Sequence, residues 1–217
     1  FSRLLTSNTA LFVCDVQGAF TKAIFGIEEL INTTGFLLKC SRALHLPCVI
    51  TEQYPEKLQH TGLGIFGDIE FMDVLQPLIQ ASDTQEAFPV FPKVDYTMYS
   101  EEVKQYLKSN LPDVTNIVIC GLEVFFRKVL IVDHVCVMQT CMDLMEAGYS
   151  VHICVDAVSS RSPVDRKVAL YRMQQSGIHL TTSESVAFQM IGSKNHPCFK
   201  TISGLVKAKS LPSLLDF

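Results

Sequence analysis

The sequence predicts an α/β fold, a single-domain three-layer α/β/α sandwich built on a mostly parallel sheet. Three observations carry that expectation. Its strand-like runs, such as Leu11-Phe12-Val13-Cys14 and Ile117-Val118-Ile119-Cys120, are continuously apolar instead of alternating, as strands covered on both faces are. Segments with helical spacing separate them, giving the β-then-α rhythm of a crossover sheet. No Pro/Gly/Ser-rich linker or charge block divides the 217 residues, so residues 1–217 are expected to share one core.

The first strand is expected at 11–16, followed by a helix marked by Ile27, Leu30, Ile31, Leu37, Leu38 and Leu44. Pro47 opens a second strand at 48–51, and the polar Glu52-Gln53-Tyr54-Pro55 closes it. Residues 56–67 read as a surface loop, 70–79 as a short helix and 90–92 as a short strand leading to Lys93. An amphipathic helix at 101–107 places Val103 and Leu107 on one side. The strand at 116–123 is followed by an apolar stretch, 124–133, and then by a helix at 137–147 that Gly148 stops. A strand at 150–156, a helix at 165–175, a strand at 178–181 and a helix at 184–190 complete the pattern.

Composition narrows the functional classes. The net charge of -4 and the sequence pI near 5.9 argue against a surface for nucleic acid or anionic lipid. No apolar run approaches the roughly 18 residues of a membrane span. With 48% hydrophobic residues the chain has enough apolar surface for a core and a subunit contact, so a homo-oligomer, a dimer or tetramer, is expected. Cys14, Cys120 and Cys154 lie inside strand-like runs, as reduced thiols do, and no CxxC pair occurs. The first residues lack a signal-peptide pattern. A cytoplasmic protein is therefore expected. Phe1 stands where Met would, which places the natural start upstream and leaves an organellar address open.

In parallel α/β sheets reactive side chains gather at the carboxyl ends of strands. Asp15, Lys93 and Cys136 all fall there. Cys136 lies at or near a helix N-terminus, where orphan N–H groups and the dipole favour a thiolate. A thiol attacking a carbonyl needs a base for its proton and a cation to balance charge, roles that a carboxylate and an ammonium can fill. Each residue also has a plainer reading. Asp15 suits a helix N-cap, Lys93 a solvated surface, and Cys136 a buried core position.

Read together, four stretches resemble the isochorismatase-like cysteine hydrolases, the superfamily that includes nicotinamidases and carbamoylsarcosine-type amidases. They are Phe12-Val13-Cys14-Asp15-Val16-Gln17, the run from Phe91 to Ser100 containing Pro92-Lys93-Val94-Asp95-Tyr96, His134-Val135-Cys136-Val137-Met138-Gln139-Thr140, and Val155-Asp156-Ala157-Val158-Ser159-Ser160-Arg161-Ser162 with Asp165-Arg166. The similarity covers nearly the whole chain and is greatest to the eukaryotic isochorismatase domain-containing proteins. It implies a Rossmann-like sheet with Asp15 as general base, Lys93 as the charge-stabilising residue and Cys136 as nucleophile. The implied reaction takes a small amide-like substrate through a thioester, with no cofactor. The metal of the nicotinamidase branch is held by an Asp and two His after the second strand. Here that region offers only His60, so no metal is expected.

One stretch departs from the family pattern. Between Gly121-Leu122-Glu123 and His134-Val135-Cys136, relatives have about one residue by pattern comparison, where connections of this kind run about 2 to 6. This chain carries 124–133, including Phe125, Phe126, Leu130 and Ile131. By the resemblance that insertion meets the oxyanion hole, where losing one donor costs on the order of a hundredfold in rate. A catalytically weak member acting as a binding protein is thus the alternative to a hydrolase. A dinucleotide-binding oxidoreductase is disfavoured, because no Gly-x-Gly-x-x-Gly follows the first strand.

Overall fold

The first strand, β1 (Thr9–Cys14), is buried at every position because its alternate residues feed two different cores. Leu11 and Val13 pack on one side of the sheet, and Ala10, Phe12 and Cys14 on the other. The structure is a computed structural model and describes residues 3–20, 24–61, 75–83, 85–122 and 136–209. After β1 come α1 (Ile27–Leu44), β2 (Cys48–Gln53), the single turns α2 (Pro55–Leu58) and α3 (Gln76–Ile79), and β3 (Val90–Lys93). The second half comprises α4 (Glu101–Asn110), β4 (Asn116–Leu122), α5 (Cys136–Glu146), β5 (Ser150–Ser159), α6 (Pro163–Gln175), β6 (His179–Thr181), α7 (Ser183–Ile191) and α8 (Phe199–Ala208).

Among the described residues the sheet has six strands, all parallel, in the order β3-β2-β1-β4-β5-β6. Helices α1, α7 and α8 cover one face and α4, α5 and α6 the other, so the expected α/β/α layering holds. The chain winds outward from β1 to β3, then restarts at β4 and winds the other way. The crevice between the carboxyl ends of β1 and β4 is therefore the topological switch point, where open α/β sheets bind ligands. Gly121 makes that junction possible. It faces Cys14 across the ladder with φ +131°, and a Cβ there would lie 2.2 Å from the Cys14 carbonyl oxygen.

Several boundaries differ from those expected. β2 runs two residues further, to Gln53, because its polar end points inward to partners and not into solvent. The short helix expected at 70–79 is described only as α3, and α2 occupies part of the expected 56–67 loop. β5 extends three residues past Asp156, through a register shift against β4 between Ile119 and Gly121. The resulting bulge turns backbone carbonyls out of the ladder. Arg166 of α6 receives two of them, donating from Nε to the Val158 carbonyl at 2.9 Å and from Nη2 to the Val155 carbonyl. The insertion at 124–133 lies outside the described residues.

Candidate active site

Asp15 follows β1 directly and adopts φ +50°, a left-handed backbone that a non-glycine residue holds only when its surroundings fix it. Two backbone bonds do so. Asp15 N donates to the Thr51 carbonyl at 3.2 Å, and its own carbonyl accepts from Gln17 N at 2.8 Å. The carboxylate is fully buried and caps no helix, which removes the N-cap reading. Its Oδ1 accepts from the Thr51 hydroxyl at 2.8 Å, its Oδ2 meets Lys93 Nζ at 2.8 Å, and Cys14 Sγ donates to Oδ2 at 3.5 Å.

Lys93 ends β3 and is not a solvated lysine. Its side chain is 1% exposed, and its ammonium donates to Asp15 Oδ2, to Gln53 Oε1 at 2.5 Å and to the Asp95 carbonyl at 3.1 Å. Burial by itself pushes the ammonium toward neutrality, but the charge of Asp15, with smaller contributions from Cys14 and Cys136, more than reverses this and lifts the Lys93 pKa above its ordinary value. The group stays a cation. Cys136 Sγ lies 3.8 Å from the same nitrogen.

Cys136 is the first residue of α5, one position earlier than the predicted helix start, and it is buried. Thr140, one turn on, fixes that end of the helix. Its hydroxyl donates to the Cys136 carbonyl at 2.6 Å and accepts from Met98 N at 2.8 Å, tying the cysteine's turn to the loop that follows β3. Asp15, Lys93 and Cys136, which lie at the ends of different elements, are thus brought together in the order carboxylate, ammonium, sulfur. Cys14 is a neighbour of different character. Burial first, and the Asp15 charge second, push its pKa well up, so it remains a neutral thiol donating to the carboxylate.

The arrangement rests on residues that sequence reasoning read only as a strand end. Thr51 and Gln53, two apart on β2, take one side each of the Asp15–Lys93 pair. Gln17 holds Gln53 in turn, accepting from Gln53 N at 2.7 Å and donating to the Gln53 and Gln59 carbonyls. Glu52, between Thr51 and Gln53, takes different partners and accepts from Thr61 N at 2.6 Å while pairing with His60 Nδ1 at 2.8 Å. A signal for this cluster was present in the sequence, since three consecutive polar residues ending a strand beside a buried acid need partners.

Tyr54 lines a groove of about 480 Å³ beside Lys93 with Pro92, Val94 and Asp95, whereas Phe20 packs into the α1 side of the core. Tyr96 is exposed. Asp156 accepts from Ser183 N at 2.8 Å and from the Ser183 hydroxyl at 2.5 Å, and it pairs with Lys209 at 2.8 Å. With Arg166 it holds the β5 bulge together. Arg161 is exposed. Among the described residues no group of three or more His, Cys, Asp and Glu side chains is placed to hold a metal ion.

The model of the isochorismatase domain matches residues 9–185, which include every residue of this cluster. The chain belongs to the isochorismatase-like hydrolase family. It is 38% identical over 207 residues to isochorismatase family protein 2A of Dictyostelium discoideum, covering 94% of this chain and 92% of that one. Among solved structures, one described as MAR1 ribonuclease from Caenorhabditis elegans superposes with a TM-score of 0.80 at 34% identity, covering all of this chain and 98% of that one. An octameric hydrolase of unknown specificity from Escherichia coli shares the fold, with a TM-score of 0.68 at 17% identity, covering 97% of this chain and 98% of its own.

Proposed function

We propose that this chain is a cysteine hydrolase acting on a small amide-like or related C–N substrate, with Cys136 as nucleophile, Asp15 as general base and Lys93 as the charge that holds the two together. One observation carries the reading. A buried ammonium with all three of its hydrogens engaged stands 2.8 Å from a carboxylate and 3.8 Å from a thiol at the start of a helix. Such a cation lowers the cost of a thiolate beside it, and the carboxylate is a proton acceptor that needs no solvent.

In the proposed cycle Asp15 takes the Cys136 proton and the sulfur adds to the substrate carbonyl carbon. Collapse of the resulting oxyanion breaks the C–N bond, with the proton on Asp15 passing to the departing nitrogen. A water molecule then loses a proton to Asp15, attacks the thioester and releases the acid, and the proton returns to sulfur. No cofactor enters. The acid excess of the chain favours a small molecule over the RNA substrate that the C. elegans neighbour's description suggests, because phosphate-binding surfaces are basic. Eight cysteines, none of them in a disulfide and seven of them buried, suit a reducing compartment such as the cytoplasm. A homo-oligomer fits the apolar composition.

The test is a panel of small amides, ureides and isochorismate assayed with the wild type and with Cys136→Ser, alongside iodoacetamide labelling read by mass spectrometry. Turnover that disappears in Cys136→Ser, together with selective alkylation of Cys136 at neutral pH, supports the hydrolase. An inert Cys136 and no turnover across the panel would replace it with a binding role.

A further inference from the structure

Gln53, the last residue of β2, is buried and has a partner at each of its polar groups. Its side-chain nitrogen donates to the Val94 carbonyl at 2.9 Å, which turns the side-chain oxygen toward Lys93 Nζ at 2.5 Å. The buried Gln17 clips the backbone of the same residue, accepting from Gln53 N at 2.7 Å and donating to the Gln53 carbonyl at 3.0 Å. The Gln53 amide therefore has one orientation. Reversed, it would set its NH2 against the ammonium and its oxygen against the Val94 carbonyl.

The ionisable groups gathered at this point are Asp15, Lys93, Cys14 and Cys136, and Gln53 adds an acceptor without adding a charge. That neutrality matters at the step of the proposed cycle in which Asp15 holds the Cys136 proton. The carboxyl group is then neutral, Cys14 stays a thiol, and the sulfur is the one anion among these groups that the ammonium can balance. A carboxylate in the place of the Gln53 amide would take the cation for itself, since its oxygen would stand at 2.5 Å and the sulfur stands at 3.8 Å. It would also turn an oxygen instead of a donor toward the Val94 carbonyl.

We infer that Gln53 is a positioning residue of the proposed reaction. Held by Gln17 and the Val94 carbonyl, its uncharged oxygen aims the Lys93 ammonium between Asp15 and Cys136 and leaves the positive charge to the sulfur. The inference rests on the assignment of Cys136 as nucleophile, and Gln53 acts through Lys93 without touching substrate.

Alkylation of Cys136 by iodoacetamide, followed by peptide mass spectrometry of the purified protein from pH 5 to 10, tests it. Gln53→Glu is expected to slow alkylation at pH 7 about tenfold or more and to move the midpoint of the rate profile up by about one unit or more, because a second anion competes for the cation. Gln53→Met removes the acceptor without adding charge, and is expected to slow alkylation by at least about threefold but less than Gln53→Glu does. Circular dichroism and urea unfolding report whether each variant is folded. A folded Gln53→Glu alkylated within about twofold of the wild type overturns the inference. So does a Gln53→Met slowed as much as Gln53→Glu, which makes the residue a support with no charge requirement. If Gln53→Glu does not fold, Gln53→Met decides: a fall of about threefold sustains the inference, and a rate like that of the wild type overturns it. A wild-type Cys136 that is inert at every pH overturns it together with the nucleophile. The expected pattern of alkylation without turnover on the substrate panel retains Gln53 as the residue that reserves the cation for the sulfur, and removes the hydrolase alone.

Discussion

Replacing Lys93 with Met removes the cation from a buried carboxylate without removing much volume, and the cost can be set from the geometry. The pair is separated by 2.8 Å with both side chains at most 1% exposed. At an effective dielectric of about 20 the attraction is roughly 6 kcal/mol, most of which offsets the cost of taking both charges out of water. Breaking such a pair from one side leaves the other charge stranded and costs about 3–5 kcal/mol. Lys93→Met strands Asp15 with only Thr51 and Cys14 as donors, and Asp15→Asn strands Lys93 on Gln53 and the Asp95 carbonyl. The double variant strands neither. Its cost should therefore fall short of the sum of the two singles by at least about 2 kcal/mol. Urea unfolding at pH 7, fitted with a common m-value, measures all four proteins. The pH dependence adds a second constraint. Because the folded pKa of Lys93 is raised, its contribution is complete below the ordinary value of 10.5 and is lost only as pH rises through the higher folded value. The wild-type advantage over Lys93→Met should stay level from neutral pH to about 10 and shrink above it. Additive costs within about 0.5 kcal/mol would refute the reasoning, since independent sites add.

Three further predictions concern the supports of the site. Gly121→Ala should lower stability by about 3 kcal/mol or more in urea titrations, because the new methyl must displace the Cys14 backbone as well as adopt φ +131°. Thr51→Val should cost about 1.5–3 kcal/mol in the same assay by leaving Asp15 Oδ1 without its donor, and Thr51→Ser should recover most of that loss; equal losses in Val and Ser would argue against the hydrogen bond. Burial, and then the charge of the stacked His179, lower the His152 pKa to about 4 from 6.5. The unfolded chain therefore binds a proton that the folded chain refuses between those values, and stability falls as pH drops through this window. His152→Gln should flatten that decline by about 1–2 kcal/mol in thermal or urea unfolding, and an unchanged acid limb would exclude His152 as its source.

The sheet was legible because its strands are buried on both faces, which leaves continuous apolar runs that periodicity detects. Asp15, Lys93 and Cys136 were legible as residues at strand and helix ends, and the fold brings them together. Thr51, Gln53 and Gln17 were not, because a polar residue at a strand end looks the same whether it faces solvent or a buried charge. Which of the two applies is decided by β1 and β3 arriving on either side of β2, over separations of 36 to 41 residues. Helix α8 carries Phe199, Ile202 and Leu205 at helical spacing, but with Gly204 inside it and short apolar content it gave no strand-to-helix alternation to stand out against. The extra residues of β5 are a tertiary matter as well, since the bulge exists only where Arg166, Lys209 and Ser183 collect its exposed polar groups.

The pairing of Asp156 with Lys209 sets an order on biosynthesis. Asp156 leaves the ribosome 53 residues ahead of its cation. During that interval every strand of the sheet has been made, yet β5 holds a carboxylate whose buried partner, 2% exposed once in place, has not emerged. A chain that closed its core at that stage would bury the carboxylate with the Ser183 donors but without its cation, at a penalty of several kcal/mol. A chain that ends before Lys209 is therefore expected to be less stable than the intact one, because Asp156 is then held by Ser183 alone.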